Sequence, residues 1–359
     1  MKIATVVGAR PQFVKAAAMA RAIDEKRRSG HDIEEVIIHT GQHYDQRMSA
    51  SFFADLGIAE PRHNLAIGSD SHGRQTGRMM SALEEIVDFE SPEVMIVHGD
   101  TNSTLAGALV AAKRNLSLVH VEAGLRSFDR TMPEEVNRVL TDHVSDLLCC
   151  PSNTAIENLR AEGIVNGVHL VGDVMYDVLL ADIGRLGSDM PNTGSLPTGS
   201  PYILATIHRA STTDDSVRFT DVVRALSEIS STIAPVVWPV HPRTSGLVKV
   251  LALPDSVHLI DPVSYHEMLV LIRQAETVVT DSGGLQKEAF WLQTPCVTVR
   301  ESTEWPETIQ SGWNQLVGTS TEKIIEATGG ATTPTRHPPL YGDGHSAEHI
   351  VELIEALNA

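Results

Sequence analysis

Short apolar, β-branched runs alternate along this chain with stretches of helical periodicity: IATVV, EVIIHT, EVMIVHGD, LSLVHVE and VHLVGD in the first half, then YILATIH, APVVWPV, VHLI, ETVVTD and PCVTVR in the second. Such alternation is the pattern of parallel sheets with crossover helices, so it predicts an α/β chain with two parallel sheets. At 359 residues the chain is too long for one compact core and is the size of two domains of ~100 to 200 residues. Between the halves, GRLGSDMPNTGSLPTGSP is rich in Gly, Pro, Ser and Asn and lacks periodicity, which marks roughly 184–200 as a surface connection. The domains expected are 1–183 and 201–344. The tail HSAEHIVELIEALNA has apolar residues at helical spacing and predicts a helix over 345–359, assigned to the first domain.

Polar residues and glycines gather where the strands end, in GAR, HTGQH, HGDT, VEAGLRS, IHR, PVHPRT and DSGG. Open parallel sheets bind ligands outside the carboxyl ends of their strands, so a phosphate-bearing nucleotide in a cleft between the domains is the expectation. A formal charge of -18, from 28 basic and 46 acidic side chains, argues against nucleic acid or an anionic membrane as partner. An anionic ligand must then be met by local groups. The opening MKIATVVGAR lacks the hydrophobic core and cleavage site of a secretory signal, and no apolar run nears the ~20 residues of a membrane span, which predicts a cytoplasmic protein. Cys149, Cys150 and Cys296 show neither disulfide nor zinc spacing and read as packing residues.

The strongest single segment is TVVTDSGGLQKEAFWLQ, a strand ending at Thr280, a turn through Asp281, Ser282, Gly283 and Gly284, and then a helix. Glycines admit a ligand close to the backbone, and the free N–H groups of the new helix form a phosphate site without a positive side chain. Glu288, one turn on, is placed to accept from two ribose hydroxyls. The same residues read equally as a plain helix cap by Ser282 with Glu288 on a solvated face. Arg10 and Lys15 flank the first strand-to-helix turn, with Pro11 at the helix start, and face phosphate or solvent.

Three acids sit where parallel-sheet enzymes keep functional groups: Asp100 in HGDT, Glu122 in HVEAGLRS and Glu134 in MPEEVNR. Together with the phosphate turn they suggest proton transfer beside a bound nucleotide. Singly, each reads structurally: Asp100 as a helix cap, Glu122 as a partner for Arg126, Glu134 as a first-turn acid. His208 in ATIHR and His241 in PVHPR follow strands of the second half, near arginines, and act on a ligand oxygen or cap a loop. HTGQH, from His39 to His43, and HSAEH, from His345 to His349, do not make a metal motif, so no metal is expected.

With these segments in view, the chain resembles the non-hydrolysing UDP-N-acetylglucosamine 2-epimerases and relatives acting on modified UDP-sugars. The likeness covers nearly the whole length, through GARPQFVKAA, TGQHYDQ, VHGDTNST, HVEAGLRS, MPEEVNR, ATIHR, PVHPR, DSGGLQKEA and VRESTEWPE in order. It implies two Rossmann-like doubly wound domains in the glycosyltransferase-B arrangement, a homodimer, and a role in supplying cell-surface polysaccharide. It also implies a reaction without nicotinamide or metal cofactor: the C2 proton is removed, UDP is eliminated to a 2-acetamidoglucal, and UDP is added back. Asp100, Glu122 and Glu134 would handle the proton, with His208 assisting. Arg10, Lys15, Arg138, His241, Ser282, Gly283, Gly284 and Glu288 would hold the nucleotide. Gln42, His43 and Arg209, with His241, match parts of an effector site found in bacterial members. The chain departs from the family at Ala210, Ser211 and Thr212, where many members have an acid and an asparagine. It departs again at Trp305, where the best-known bacterial enzymes have arginine, a change that alters charge recognition. Other readings are the same reaction on a 2,3-diacetamido uronic acid sugar, a hydrolysing epimerase, a glycosyltransferase of the same fold, and a silent nucleotide-sugar sensor.

Overall fold

The computed structural model describes residues 1–42, 53, 57–183 and 199–357, and for Arg10 the backbone alone. His43, the greater part of the connection at 184–198, and the side chain of Arg10 lie outside the described residues. The chain forms two compact units, Met1–Ala181 with Pro339–Ala359, and Asp182–Pro338.

In the first unit, β1 (Lys2–Val7), β2 (Glu34–His39), β3 (His63–Asn64), β4 (Val94–His98), β5 (Ser117–Val121), β6 (Leu147–Cys150) and β7 (Val168–Leu170) form one sheet. Its order is β3-β2-β1-β4-β5-β6-β7 and every pairing is parallel. The order reverses between β1 and β4, the switch point at which such sheets bind ligands. Alternate residues serve the two faces: Ala4, Val6, Val36 and Ile38 join one apolar cluster, Val7 and Ile37 another. Both faces are therefore covered, which is why the strands read as unbroken apolar runs.

The second unit repeats the plan with β8 (Ile203–Thr206), β9 (Val236–Pro239), β10 (Val257–Ile260), β11 (Thr277–Thr280), β12 (Cys296–Thr298) and β13 (Asn314–Leu316). The order β10-β9-β8-β11-β12-β13, again all parallel, puts the switch point between β8 and β11. Ile203, Ala205, Val236 and Trp238 pack on one face, and Tyr202, Leu204, Val237 and Val278 on the other.

The terminal helix forms over Ser346–Leu357 and buries Ala347, Ile350, Val351 and Ile354 in the first unit. Asp177 accepts from Ala347 N at 2.7 Å at its start, while Lys26 and His31 pair with Glu355 near its end. The second unit ends at Pro338, short of the expected 344, because Asp173 N donates to Tyr341 O at 2.9 Å and draws that segment into the first unit. Among the described residues no helix is long and apolar enough to cross a membrane. The three cysteines are buried and free.

Candidate functional site

At the switch point of the first unit, β4 ends in the left-handed turn at Gly99 (φ 62°), which presents Asp100. Asp100 does not cap the following helix Asn102–Arg114; Thr101 does, accepting from Thr104 N. Instead the Asp100 carboxylate accepts from Arg138 Nη2 at 2.5 Å, and its backbone oxygen from Asn137 Nδ2 at 2.9 Å. Gln12, 2% exposed, spans the switch point. Its Oε1 accepts from Gly8 N and Ala9 N at 2.8 and 3.0 Å, and its Nε2 donates to His98 O and Thr104 Oγ1 at 2.7 and 3.0 Å.

Glu122 follows β5 with φ 76°, a left-handed conformation uncommon outside glycine. The strain is held by β6: the N–H groups of Glu122 and Ala123 both donate to Cys149 O at 3.1 Å. The expected alternative partner, Arg126, is engaged elsewhere, with Asp142 and Glu162. The Glu122 carboxylate pairs with Lys15 Nζ, from the helix Arg10–Arg28. A Cβ built on Gly99 would stand 3.4 Å from each of these two groups, so Lys15, Glu122 and the Asp100 turn lie together at one end of the sheet.

Glu134 is exposed at the start of the helix Pro133–Val144, one turn before Arg138. Its buried neighbour Glu135 does the structural work, accepting from Ser127 N, Ser127 Oγ and Phe128 N at 2.8, 2.8 and 3.0 Å. His98 closes β4 fully buried; burial and then Lys15 push its pKa down to about 3, so the ring stays neutral. Gln42 Oε1 accepts from Ser103 N and Oγ at 3.0 and 2.6 Å, which ties it to the start of the helix Asn102–Arg114.

In the second unit the buried Asp281 organises the switch point. Its two oxygens accept from His208 N at 3.0 and 3.1 Å, and one also accepts from Arg209 N at 2.9 Å, so the turn after β8 is pinned to the turn after β11. Ser282 stands at the N-cap of the helix Gly283–Trp291 but makes no side-chain cap bond, which leaves the helix opening to backbone amides. Around Gly283 three donors converge. A Cβ there would lie 3.3 Å from Arg209 Nη2, 3.8 Å from Trp305 Nε1 and 3.9 Å from Arg300 Nη1. Glu288 is buried, with Oε1 3.9 Å from the Cβ position of Gly284.

Trp305 is itself buried, and Lys287 Nζ lies 3.9 Å above its ring. This is a cation–π pair beside Gly283. His208 stacks on the exposed His241 with ring centroids 4.9 Å apart. Burial lowers the His208 pKa and Arg209 and Arg243 add to this, while Asp281 opposes. Each unit thus gathers its own group: Asp100, Glu122, Lys15 and Arg138 in the first, and His208, Arg209, His241, Ser282, Gly283, Gly284 and Glu288 in the second.

Sequence reasoning gave no role to Gln12, Asp281, Lys287 or Arg300. A polar residue inside an otherwise apolar strand end or helix was the one available signal for them. Among the described residues no group of three or more His, Cys, Asp or Glu side chains is arranged to hold a metal.

The model of the family described as UDP-N-acetylglucosamine 2-epimerase matches residues 25–355. A UDP-2,3-diacetamido-2,3-dideoxy-D-glucuronate 2-epimerase of Pseudomonas aeruginosa is 47% identical over 99% of this chain and 100% of its own length. A UDP-N-acetylglucosamine 2-epimerase of Methanocaldococcus jannaschii is 40% identical, covering 99% of each chain. The crystal structure of the Methanocaldococcus jannaschii UDP-GlcNAc 2-epimerase in complex with UDP-GlcNAc and UDP superposes with a TM-score of 0.88 at 38% identity, covering 99% of this chain and 100% of that one. The fold is shared throughout: two Rossmann-like doubly wound domains of the glycosyltransferase-B class.

Proposed function

The chain belongs to the UDP-N-acetylglucosamine 2-epimerase family, and from that premise we infer that it is a non-hydrolysing isomerase that inverts C2 of a UDP-2-acetamido sugar. The C2 proton passes to a carboxylate, the C1–oxygen bond breaks with its electron pair leaving on UDP, and a C1=C2 double bond forms. Protonation of C2 from the opposite face and return of UDP to C1 complete the cycle. The observation that carries this reading is the gathering of Asp100, Glu122, Lys15 and Arg138 at the end of the first sheet.

Asp100 and Glu122 are assigned the proton transfers, with Glu134 as the third acid and His208 assisting departure of the diphosphate. Ser282, Gly283 and Gly284 offer amides to the diphosphate, Arg10, Lys15, Arg138 and His241 supply donors, and Glu288 accepts from the ribose. Gln42, His43 and Arg209 are assigned to an effector site. A homodimer in the cytoplasm supplying cell-surface polysaccharide completes the reading.

The test is incubation with UDP-N-acetylglucosamine in deuterated buffer, followed by proton NMR. Epimeric product carrying deuterium at C2, formed without a sugar acceptor, is expected. Product with only protium there, turnover that requires an acceptor, or UDP accumulating in step with product would refute it. A second reading, the same inversion on a 2,3-diacetamido uronic acid sugar, is favoured by the name of the 47% identical relative. Parallel assays on the two substrates separate them.

A further inference from the structure

The helix Pro133–Val144 carries Glu134, Arg138 and Asp142 at steps of four residues, on one side of the helix. Arg138 and Asn137 grip the side chain and backbone of Asp100. One turn further on, the fully buried Asp142 has Oδ1 2.6 Å from His120 Nδ1, while Oδ2 accepts from Arg126 Nη1 at 2.6 Å and from Gly124 N at 3.2 Å. His120, on β5, has Nε2 2.8 Å from the carbonyl oxygen of Gly99. The ring thus bridges the Asp142 carboxylate and the Gly99 carbonyl.

These contacts reach both acid-bearing turns. Gly99 precedes Asp100, and Gly124 closes the turn that holds Glu122 in its left-handed conformation. Each of these hydrogen bonds is buried, so losing one leaves a buried polar group unpaired, and the two turns are held to the helix at fixed distances.

We propose that His120 and Asp142 are a positioning pair that fixes the Asp100 and Glu122 carboxylates relative to one another, using the helix Pro133–Val144 as a common spine. The inference rests on the epimerase reading, in which these two acids serve one carbon. Displacing a reacting group by about 1 Å costs roughly 100-fold in rate.

The experiment is steady-state epimerisation by Asp142→Asn, His120→Gln and the double variant, with UDP affinity and thermal unfolding measured on the same preparations. His120→Gln leaves the Arg126–Asp142 pair in place and so provides a folded variant if Asp142→Asn is too damaged to purify. Each single change should lower kcat by roughly 30- to 100-fold with UDP affinity within about twofold of the parent. The double variant should lose about as much as either single one, as groups acting as a unit do. A folded variant with kcat within about threefold of the parent overturns the proposal, as do losses that multiply in the double variant or that track UDP affinity. A parent chain that epimerises normally while its variants do too sinks this inference alone; a parent that inverts neither UDP-sugar sinks the epimerase reading and this inference with it.

Discussion

Asp281 shows how much can depend on one carboxylate. It is fully buried and accepts the N–H groups of the half-buried His208 and Arg209, so without it both amides lose their acceptor. Losing them should cost about 1 to 3 kcal/mol, and the loop that carries Arg209 toward Gly283 would loosen. Asp281→Ala is therefore expected to lower stability in urea unfolding and to weaken UDP binding; a folded variant that binds UDP as the parent does would show that the loop needs no pin. Glu35 makes a different residue-scale prediction. Burial pushes its pKa up from 4.5 to about 7, with the Thr5 hydroxyl bond opposing and Asp24 adding repulsion. Because the folded value lies above the unfolded one, the stabilising contribution is full below pH 4.5 and is lost as pH rises to about 7. Glu35→Gln, which keeps the shape and removes the charge, should melt above the parent at about pH 8, with the gap closing by about pH 5. A gap that ignores pH would mean Glu35 carries no such penalty.

At the scale of elements, legibility in the sequence followed length and composition. Strands such as β4, apolar at every position but its last, were readable because both faces of their sheet are covered. Absent from the runs read as strands are β3, only His63–Asn64, β6, only Leu147–Cys150, and β13, the polar Asn314–Leu316: too short or too polar for periodicity to act on. Asp100 and Glu122 were readable because they follow strands beside glycine turns, and Glu134 because it opens a helix after Pro133. Their partners were not, since Arg138 reaches Asp100 across 38 positions and Asp142 meets His120 across 22. Spacing along a chain does not encode such meetings; packing of the helix Pro133–Val144 does. The terminal helix was legible from its apolar stripe, and the stripe predicts its cost. Ile350→Ala or Ile354→Ala removes a side chain with 0% exposure and should destabilise by about 2 to 5 kcal/mol, measured by urea unfolding. A change below about 1 kcal/mol in both would mean that the helix contributes little to the first unit.

Over the whole molecule, 46 acidic side chains face 28 basic ones, and the net charge of -18 makes the folded state repel itself. Many exposed carboxylates are already paired, as Asp214 is with Arg243 and Asp24 with Arg27, so what remains is the long-range surplus rather than particular contacts. Salt acts on that surplus, because the screening length falls to about 10 Å at 0.1 M while short or buried pairs are screened much less. Raising sodium chloride from about 20 to about 200 mM at neutral pH should therefore stabilise the fold, by ~1 kcal/mol or about 2 to 4 °C in melting temperature. The sign separates two pictures. Were exposed ion pairs the dominant electrostatic contribution, the same salt would weaken them and the melting temperature would fall. Repeating the titration near pH 5.5 supplies the control, since protonation of histidines and of the weaker carboxylic acids reduces the surplus and should shrink the salt effect with it. A melting temperature that is flat or falling with salt at neutral pH would place the acidic surplus outside the forces that set this protein's stability.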